Sequence, residues 1–129
     1  MEGTQVNEDY IDQLVAEWDD VYKKGQLSLW ILLAIADGRK YAAQITEFMA
    51  NATDGSFDVK EQSLYRALRR FEGMKLVHVS KENSPNSGVK RKYYELTETG
   101  KEVLSRFIEI HITPLYKPEV TKLIRALES

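Results

Sequence analysis

A mainly helical fold with one small β-hairpin, an α+β class, is what these 129 residues predict, and three observations carry it. Apolar residues recur at three- and four-residue spacing in several separated segments, the signature of amphipathic helices. Between them, residues 62–100, QSLYRALRRFEGMKLVHVSKENSPNSGVKRKYYELTETG, read as a helix with a basic polar face, two short strands and a capped helix. Charge adds a third sign. Residues 60–95 hold nine Lys/Arg against four acids, a local +5 in a chain of net −2, so the remainder carries −7. A groove-sized helix followed by a basic-tipped hairpin is the equipment of a winged helix-turn-helix, here with extra N-terminal and C-terminal helices for dimerisation.

The elements follow in order. Asn7 is a fitting cap for a first helix over 8–23, in which Ile11, Leu14, Val15, Trp18, Val21 and Tyr22 form a stripe. Glu8 and Asp9 suit the positive end of its dipole, and Gly25 is expected to end it. A second helix, 26–36, is apolar almost all round (Leu27, Leu29, Trp30, Ile31, Leu32, Leu33, Ile35) and so buried on several sides, stopping at Asp37-Gly38. A third helix runs from Tyr41 to about Ala52 with Ile45, Phe48 and Met49 inward, and Asp54-Gly55 breaks the chain after it. Asp58 and Glu61 have capping-box spacing, so a fourth helix starts near 59–61 and ends at Phe71 or Glu72, with Gly73 as its C-cap.

Leu76 to Ser80 then alternates as a strand, and Lys90 to Leu96 is its partner across a loop of about nine residues whose turn is Pro85-Asn86-Ser87-Gly88. Thr97 caps a helix from about Glu98 to Ile112, with Gly100 unusually close to its start. Pro114 and Pro118 interrupt the pattern, and Val120, Leu123, Ile124 and Leu127 mark a short final helix. The expected division is an N-terminal helical extension over 1–24, a winged helix-turn-helix over 25–96, and a dimerisation helix with the short final helix over 97–129.

Composition narrows the function classes. With 43% hydrophobic and 29% charged residues the chain is ordinary for a folded soluble protein, and no apolar run approaches the ~20 residues of a membrane span. The start, MEGTQVNEDY, resembles neither a secretory signal nor a transit peptide, so a cytoplasmic location is expected. Zero cysteines exclude disulfides, thiolate metal sites and a cysteine nucleophile. His78 and His111 have no partners at metal spacing, and there is no Gly-rich phosphate loop or nucleophile elbow. Neither an enzyme, a metal nor a cofactor is expected. Asp19-Asp20 read as a solvated helix face.

At about 100° per residue the helix beginning near Gln62 divides cleanly. Leu64, Ala67, Leu68 and Phe71 fall on one side; Gln62, Tyr65, Arg66, Arg69 and Arg70 fall on the other. The major groove admits one helix, and Arg and Gln suit guanine and adenine edges. Taken alone this is an ordinary amphipathic surface helix. The hairpin changes the weighing, because Lys90, Arg91 and Lys92 stand beside a turn and phosphate contacts are what position a protein on DNA.

SLYRALRRFEGMKLV followed by KRKYYELTETGKEVL resembles the PadR-like transcriptional regulators, and LSLWILLAIADG resembles their first winged-helix helix. Their recognition helix follows Ser-Leu-Tyr-x-x-Leu-x-x-Leu, matched by Ser63, Leu64, Tyr65, Leu68 and Phe71. Their wing leads into Arg/Lys-Tyr-Tyr-x-Leu-Thr-x-x-Gly, matched by Lys92, Tyr93, Tyr94, Leu96, Thr97 and Gly100. The chain departs from the pattern at Tyr41-Ala42-Ala43, where His-Gly-Tyr is common, and at Gln62 and Arg66, where Gly and Pro are common. Base preference is therefore not carried over.

The resemblance implies a homodimer on double-stranded DNA, a repressor relieved by a small hydrophobic or aromatic effector, and a recognition helix that includes Ser63. Independently, the helix over 98–112 is apolar on more than one face, which calls for a partner. Trp18 and Trp30 are candidate walls of an effector pocket, against which plain core packing weighs heavily. The alternative function is a winged-helix protein–protein interaction module whose basic face docks an acidic partner without specific DNA binding.

Overall fold

The computed structural model describes residues 7–83 and 88–128. Glu8–Ala36 form a single helix, α1, of 29 residues, where a break at Gly25 was expected. A Cβ at Gly25 would meet nothing within 4 Å, so the glycine serves no close approach. Its cost in a helix interior is about 1 kcal/mol. The helix-favouring Lys23, Lys24, Gln26 and Leu27 on either side outweigh that, and α1 passes unbroken through the expected boundary at 24/25. Asn7 caps it as expected, its Oδ1 accepting from the Tyr10 N–H at 3.1 Å.

The two halves of α1 have different surroundings. Every residue from 8 to 22 is exposed, whereas Leu29, Ile31, Leu32, Ala34 and Ile35 are buried. The buried half packs against α2 (Ala42–Ala52), the second hairpin strand and the helix after it. In α2, Ile45 and Met49 are fully buried and Phe48 packs at the core margin. The Gln44 side chain accepts from the Tyr41 N–H at 3.1 Å to close the start of the helix.

After a turn with Asp54 and Gly55 in left-handed conformations (φ 53° and 79°), α3 spans Glu61–Gly73. The capping box expected from Asp58 and Glu61 does not form: Lys60 occupies the cap with no side-chain bond, and Glu61 is already the first helical residue. Nor is Gly73 the left-handed cap. Lys75 takes that role at φ 62°, with its N–H donating to Glu72 O at 3.0 Å and the Leu76 N–H to Phe71 O at 2.9 Å. Buried Leu76 lies beside buried Phe71, the apolar contact that accompanies this closure and offsets the strain of a non-glycine residue.

Strands β1 (Val77–Asn83) and β2 (Lys90–Leu96) pair antiparallel from Val77↔Leu96 to Asn83↔Lys90. β1 thus runs three residues beyond Ser80, and the connection shortens to residues 84–89. The turn residues Pro85, Asn86 and Ser87 lie outside the described residues; Gly88 has φ 70°. Lys40 bonds both ways with Tyr94 (N–H to O 3.1 Å; Tyr94 N–H to Lys40 O 2.8 Å), adding a third, one-residue strand at the edge.

Thr97 ties the hairpin to α4 (Glu98–His111). Its hydroxyl accepts from the Gly100 N–H at 2.9 Å and donates to Lys75 O at 2.6 Å, while its N–H donates to Leu76 O at 3.0 Å. Gly100 is required here, because a Cβ would collide with the Leu76 carbonyl oxygen. A 3₁₀ turn (Thr113–Tyr116) and α5 (Pro118–Glu128) complete the chain. The core between these elements centres on Ile31, Ile45, Met49, Leu64, Leu68 and Val77, all fully buried. Among the described residues, no helix is long and apolar enough to cross a membrane.

Candidate nucleic-acid interface

The polar face of α3 and the hairpin meet across one groove. Tyr41, Ala42, Ala43, Tyr65, Lys90, Arg91, Lys92 and Tyr94 line it, around about 360 Å³. A second concavity continues along α3 over Glu61, Gln62, Tyr65, Arg66 and Arg69. The helix divides as its periodicity requires: Leu64, Ala67, Leu68 and Phe71 are buried, while Gln62, Tyr65, Arg66, Arg69 and Arg70 are exposed and Ser63 is half-buried. Burial of the apolar side holds the polar side rigidly outward.

Which cations remain available is decided by pairing. Lys23, Lys24, Arg39, Lys40, Lys101 and Arg106 each have a carboxylate partner. Arg66, Arg69, Lys90 and Lys92 have none among the described residues. Arg70, grouped with them on the sequence, is turned elsewhere: its Nη2 donates to Ser28 Oγ of α1 at 3.2 Å and its guanidinium lies 5.3 Å from the Phe71 ring.

Strand register divides the basic triplet in the same way. Lys90 and Lys92 share the face of Val79, Tyr94 and Leu96, toward α3. Arg91 falls on the opposite face, with its guanidinium 4.3 Å from the Tyr41 ring. That outer face is a continuous stack, with Tyr41 edge-on to Tyr93 at 5.5 Å, Arg39 4.7 Å over Tyr93, and Arg39 paired with Glu82. The sequence reading overlooked Tyr41 and Lys81. Lys81 is the direct cross-strand partner of Lys92, and the alternation Val77, Val79, Lys81 carried the signal once the strand was extended past Ser80. Like charges placed directly opposite destabilise a hairpin unless something anionic lies against them.

Tyr94 sits beneath the groove. Burial pushes its phenol above the ordinary tyrosine range, with the Tyr65 and Glu72 oxygens adding to the rise and Arg69 opposing it. It therefore stays neutral as part of the hairpin's inner face.

The tryptophans do not share a pocket within one chain. Trp30 packs against the core, and Trp18 is 74% exposed twelve residues earlier on the same helix, about 18 Å along its axis. His78 pairs across the hairpin with Glu95 (Nε2–Oε1 2.7 Å), and no cluster of metal-ligating side chains occurs among the described residues.

A winged helix-turn-helix whose second helix and wing share one groove places the molecule in a class; comparison with known proteins narrows it. Residues 31–106 match the model of the transcriptional regulator PadR-like family, and the chain belongs to that family. An uncharacterised protein of Lysinibacillus sphaericus is 33% identical over 86 residues, covering 67% of this chain and 78% of that protein. A PadR-like transcriptional regulator of Bacillus cereus is 28% identical with a TM-score of 0.60, covering 82% of this chain and 94% of that one. PadR of Bacillus subtilis, solved in complex with operator DNA, superposes with a TM-score of 0.57 at 20% identity, over 64% of this chain and 46% of that one.

Proposed function

We propose that this regulator binds double-stranded operator DNA sequence-specifically as a homodimer, acting as a repressor that a small hydrophobic or aromatic effector releases. The observation that carries the reading is a pair of concavities that share Tyr65, one between α3 and the wing lined by Lys90 and Lys92, the other along α3 lined by Arg66 and Arg69, all four cations without a carboxylate partner among the described residues. A major groove about 12 Å wide accepts α3, with Gln62, Ser63, Tyr65, Arg66 and Arg69 toward base edges and the nearest phosphates. Lys90 and Lys92, joined by Lys81, then lie against the backbone, where phosphate oxygens relieve the repulsion between Lys81 and Lys92. Arg91, which lies over Tyr41 and lines the same groove, joins them at its edge, and Arg70 braces α3 on α1. The comparison with an operator-bound relative supports the same use of the fold. Such a protein acts where the DNA is, which in a bacterium is the cytoplasm.

The dimer is supported by apolar surface that no monomer contact covers. Leu14, Val15, Trp18 and Val21 on α1 are 44–74% exposed, Val103, Phe107 and Ile110 on α4 are 40–65% exposed, and Leu123 and Leu127 on α5 are exposed as well. Stripes of this extent mark an interface. A two-fold pair would set its two α3 helices about 34 Å apart, one DNA turn. An effector that competes for the same apolar contacts, Trp18 foremost, would change that spacing and weaken the grip on both half-sites; Trp30, packed against the core, would take part only where the partner subunit's surface meets it. Ile110→Asp is expected to weaken self-association by about 2 kcal/mol or more, roughly thirty-fold in Kd, by burying an unpaired charge. Light scattering behind a sizing column reads this directly; an unchanged oligomer rules out the α4 surface as the interface.

Binding itself is tested by fluorescence anisotropy with labelled DNA from the region upstream of the gene, at two salt concentrations, with random duplex as competitor. Lys90→Ala, Lys92→Ala and Lys81→Ala should each weaken all sequences alike and reduce the slope of log K against log salt by about 1. Slopes equal to wild type remove the wing from the interface. Absence of any sequence-selective binding at low salt favours an interaction module instead, in which the basic face of α3 and the wing docks an acidic partner.

A further inference from the structure

A carboxylate stands at the N-terminal end of the face assigned to a polyanion. Glu61 is the first residue of α3 and lines the same concavity as Gln62, Tyr65, Arg66 and Arg69. Glu82 and Glu95 lie on the outer face of the hairpin, paired with Arg39 and His78, while Glu72, the other acid of α3, stands near Tyr94 at the C-terminal end of the helix, outside this concavity. Glu61 is exposed and has no hydrogen-bond or ion-pair partner among the described residues, although Arg66 and Arg69 share its groove. An unpaired negative charge there subtracts from the attraction to phosphate that the neighbouring cations supply.

We propose that Glu61 is a specificity-determining residue, accepting a hydrogen bond from the N4 amino group of a cytosine in each half-site. The inference rests on the DNA-binding reading above. Three physical points favour it. The N-terminal residues of a recognition helix are the ones that reach base edges. A carboxylate accepts only, and cytosine N4 is the donor for which Glu or Asp is suited in the major groove. Where no amino group meets it, the charge faces carbonyl oxygens and phosphates and is repelled, so Glu61 penalises wrong registers as well as rewarding the right one. A purely structural role is the rival account: an acid in the first turn is favoured by the helix dipole wherever on that turn it points.

The experiment selects duplexes from a random library with the full-length wild type and with Glu61→Gln, then measures single-position variants of the selected site, with a thermal melt of both proteins. Gln keeps the shape but offers the donor–acceptor pair that matches adenine N6 and N7. The wild type should prefer cytosine at one position per half-site by about 5- to 150-fold, and Glu61→Gln should move that preference to adenine while leaving the other positions alone. A variant with a shifted melt but unchanged base preferences assigns Glu61 to the dipole and overturns the inference alone. A wild type that selects no sequence overturns the DNA reading and this inference with it.

Discussion

Gly100→Ala is expected to destabilise the fold by about 3 kcal/mol, lowering the melting temperature by roughly 10 °C. The added Cβ would overlap the carbonyl oxygen of Leu76 and come within 3.0 Å of its carbon. Neither neighbour can give. Leu76 O accepts from the Thr97 N–H, the Leu76 N–H closes α3 on Phe71 O, and Leu76 itself is buried. The clash must therefore part α4 from the junction between α3 and β1, which is also the junction that sets the wing against the recognition helix. The same change at Gly25, where a Cβ meets nothing within 4 Å, should instead raise stability by up to about 1 kcal/mol, since alanine is the better helix former. A calorimetric comparison of the two variants checks both signs; similar melts for both would disprove the close packing at Gly100.

Arg66→Ala and Arg69→Ala are each expected to weaken binding to the selected operator by about 1–3 kcal/mol, some 5- to 150-fold, and to relax discrimination at the base each one reads. Both guanidiniums are exposed on α3, one near turn apart, and neither is held by an acid among the described residues, so little rearrangement precedes their use. Arg70→Ala provides the contrast. Its side chain is engaged with Ser28 and stacked on Phe71, so its loss should affect stability of the α1–α3 contact more than base preference. Competition binding against operator and random duplexes separates the two behaviours; equal losses for all three arginines would mean that α3 is not inserted in the groove.

Much of this architecture is legible locally. Asn7 and Thr97 cap helices because a short polar side chain placed just before an apolar periodicity satisfies free N–H groups, and both do so in the structure. Gly100 stood out by its position alone, although its reason, the Leu76 carbonyl, belongs to a different element. Local signals misled where their energies were small. Gly25 lies in a long helix because a penalty of about 1 kcal/mol is less than the helix gains by continuing. The α3 terminus used Lys75 rather than Gly73 in the left-handed position because burying Leu76 against Phe71 selected where the turn had to close. The one-residue strand at Lys40 left no sequence trace at all, since a single pair of backbone bonds to Tyr94 needs no alternating pattern.

The candidate interface divides along the same line. That Gln62, Tyr65, Arg66 and Arg69 share one side of a helix, opposite Leu64, Ala67, Leu68 and Phe71, was already determined by residue order, because a helical repeat of about 3.6 residues assigns faces without reference to the rest of the chain. Which of the basic side chains are left without a side-chain partner was decided only in three dimensions. Arg70 is taken up by a serine 42 residues away, Arg91 is turned onto Tyr41 by the hairpin register, and Lys81 is brought opposite Lys92 by the same register. A side chain's direction is a local property of the backbone period, whereas its partner depends on which distant segment the packed core brings alongside.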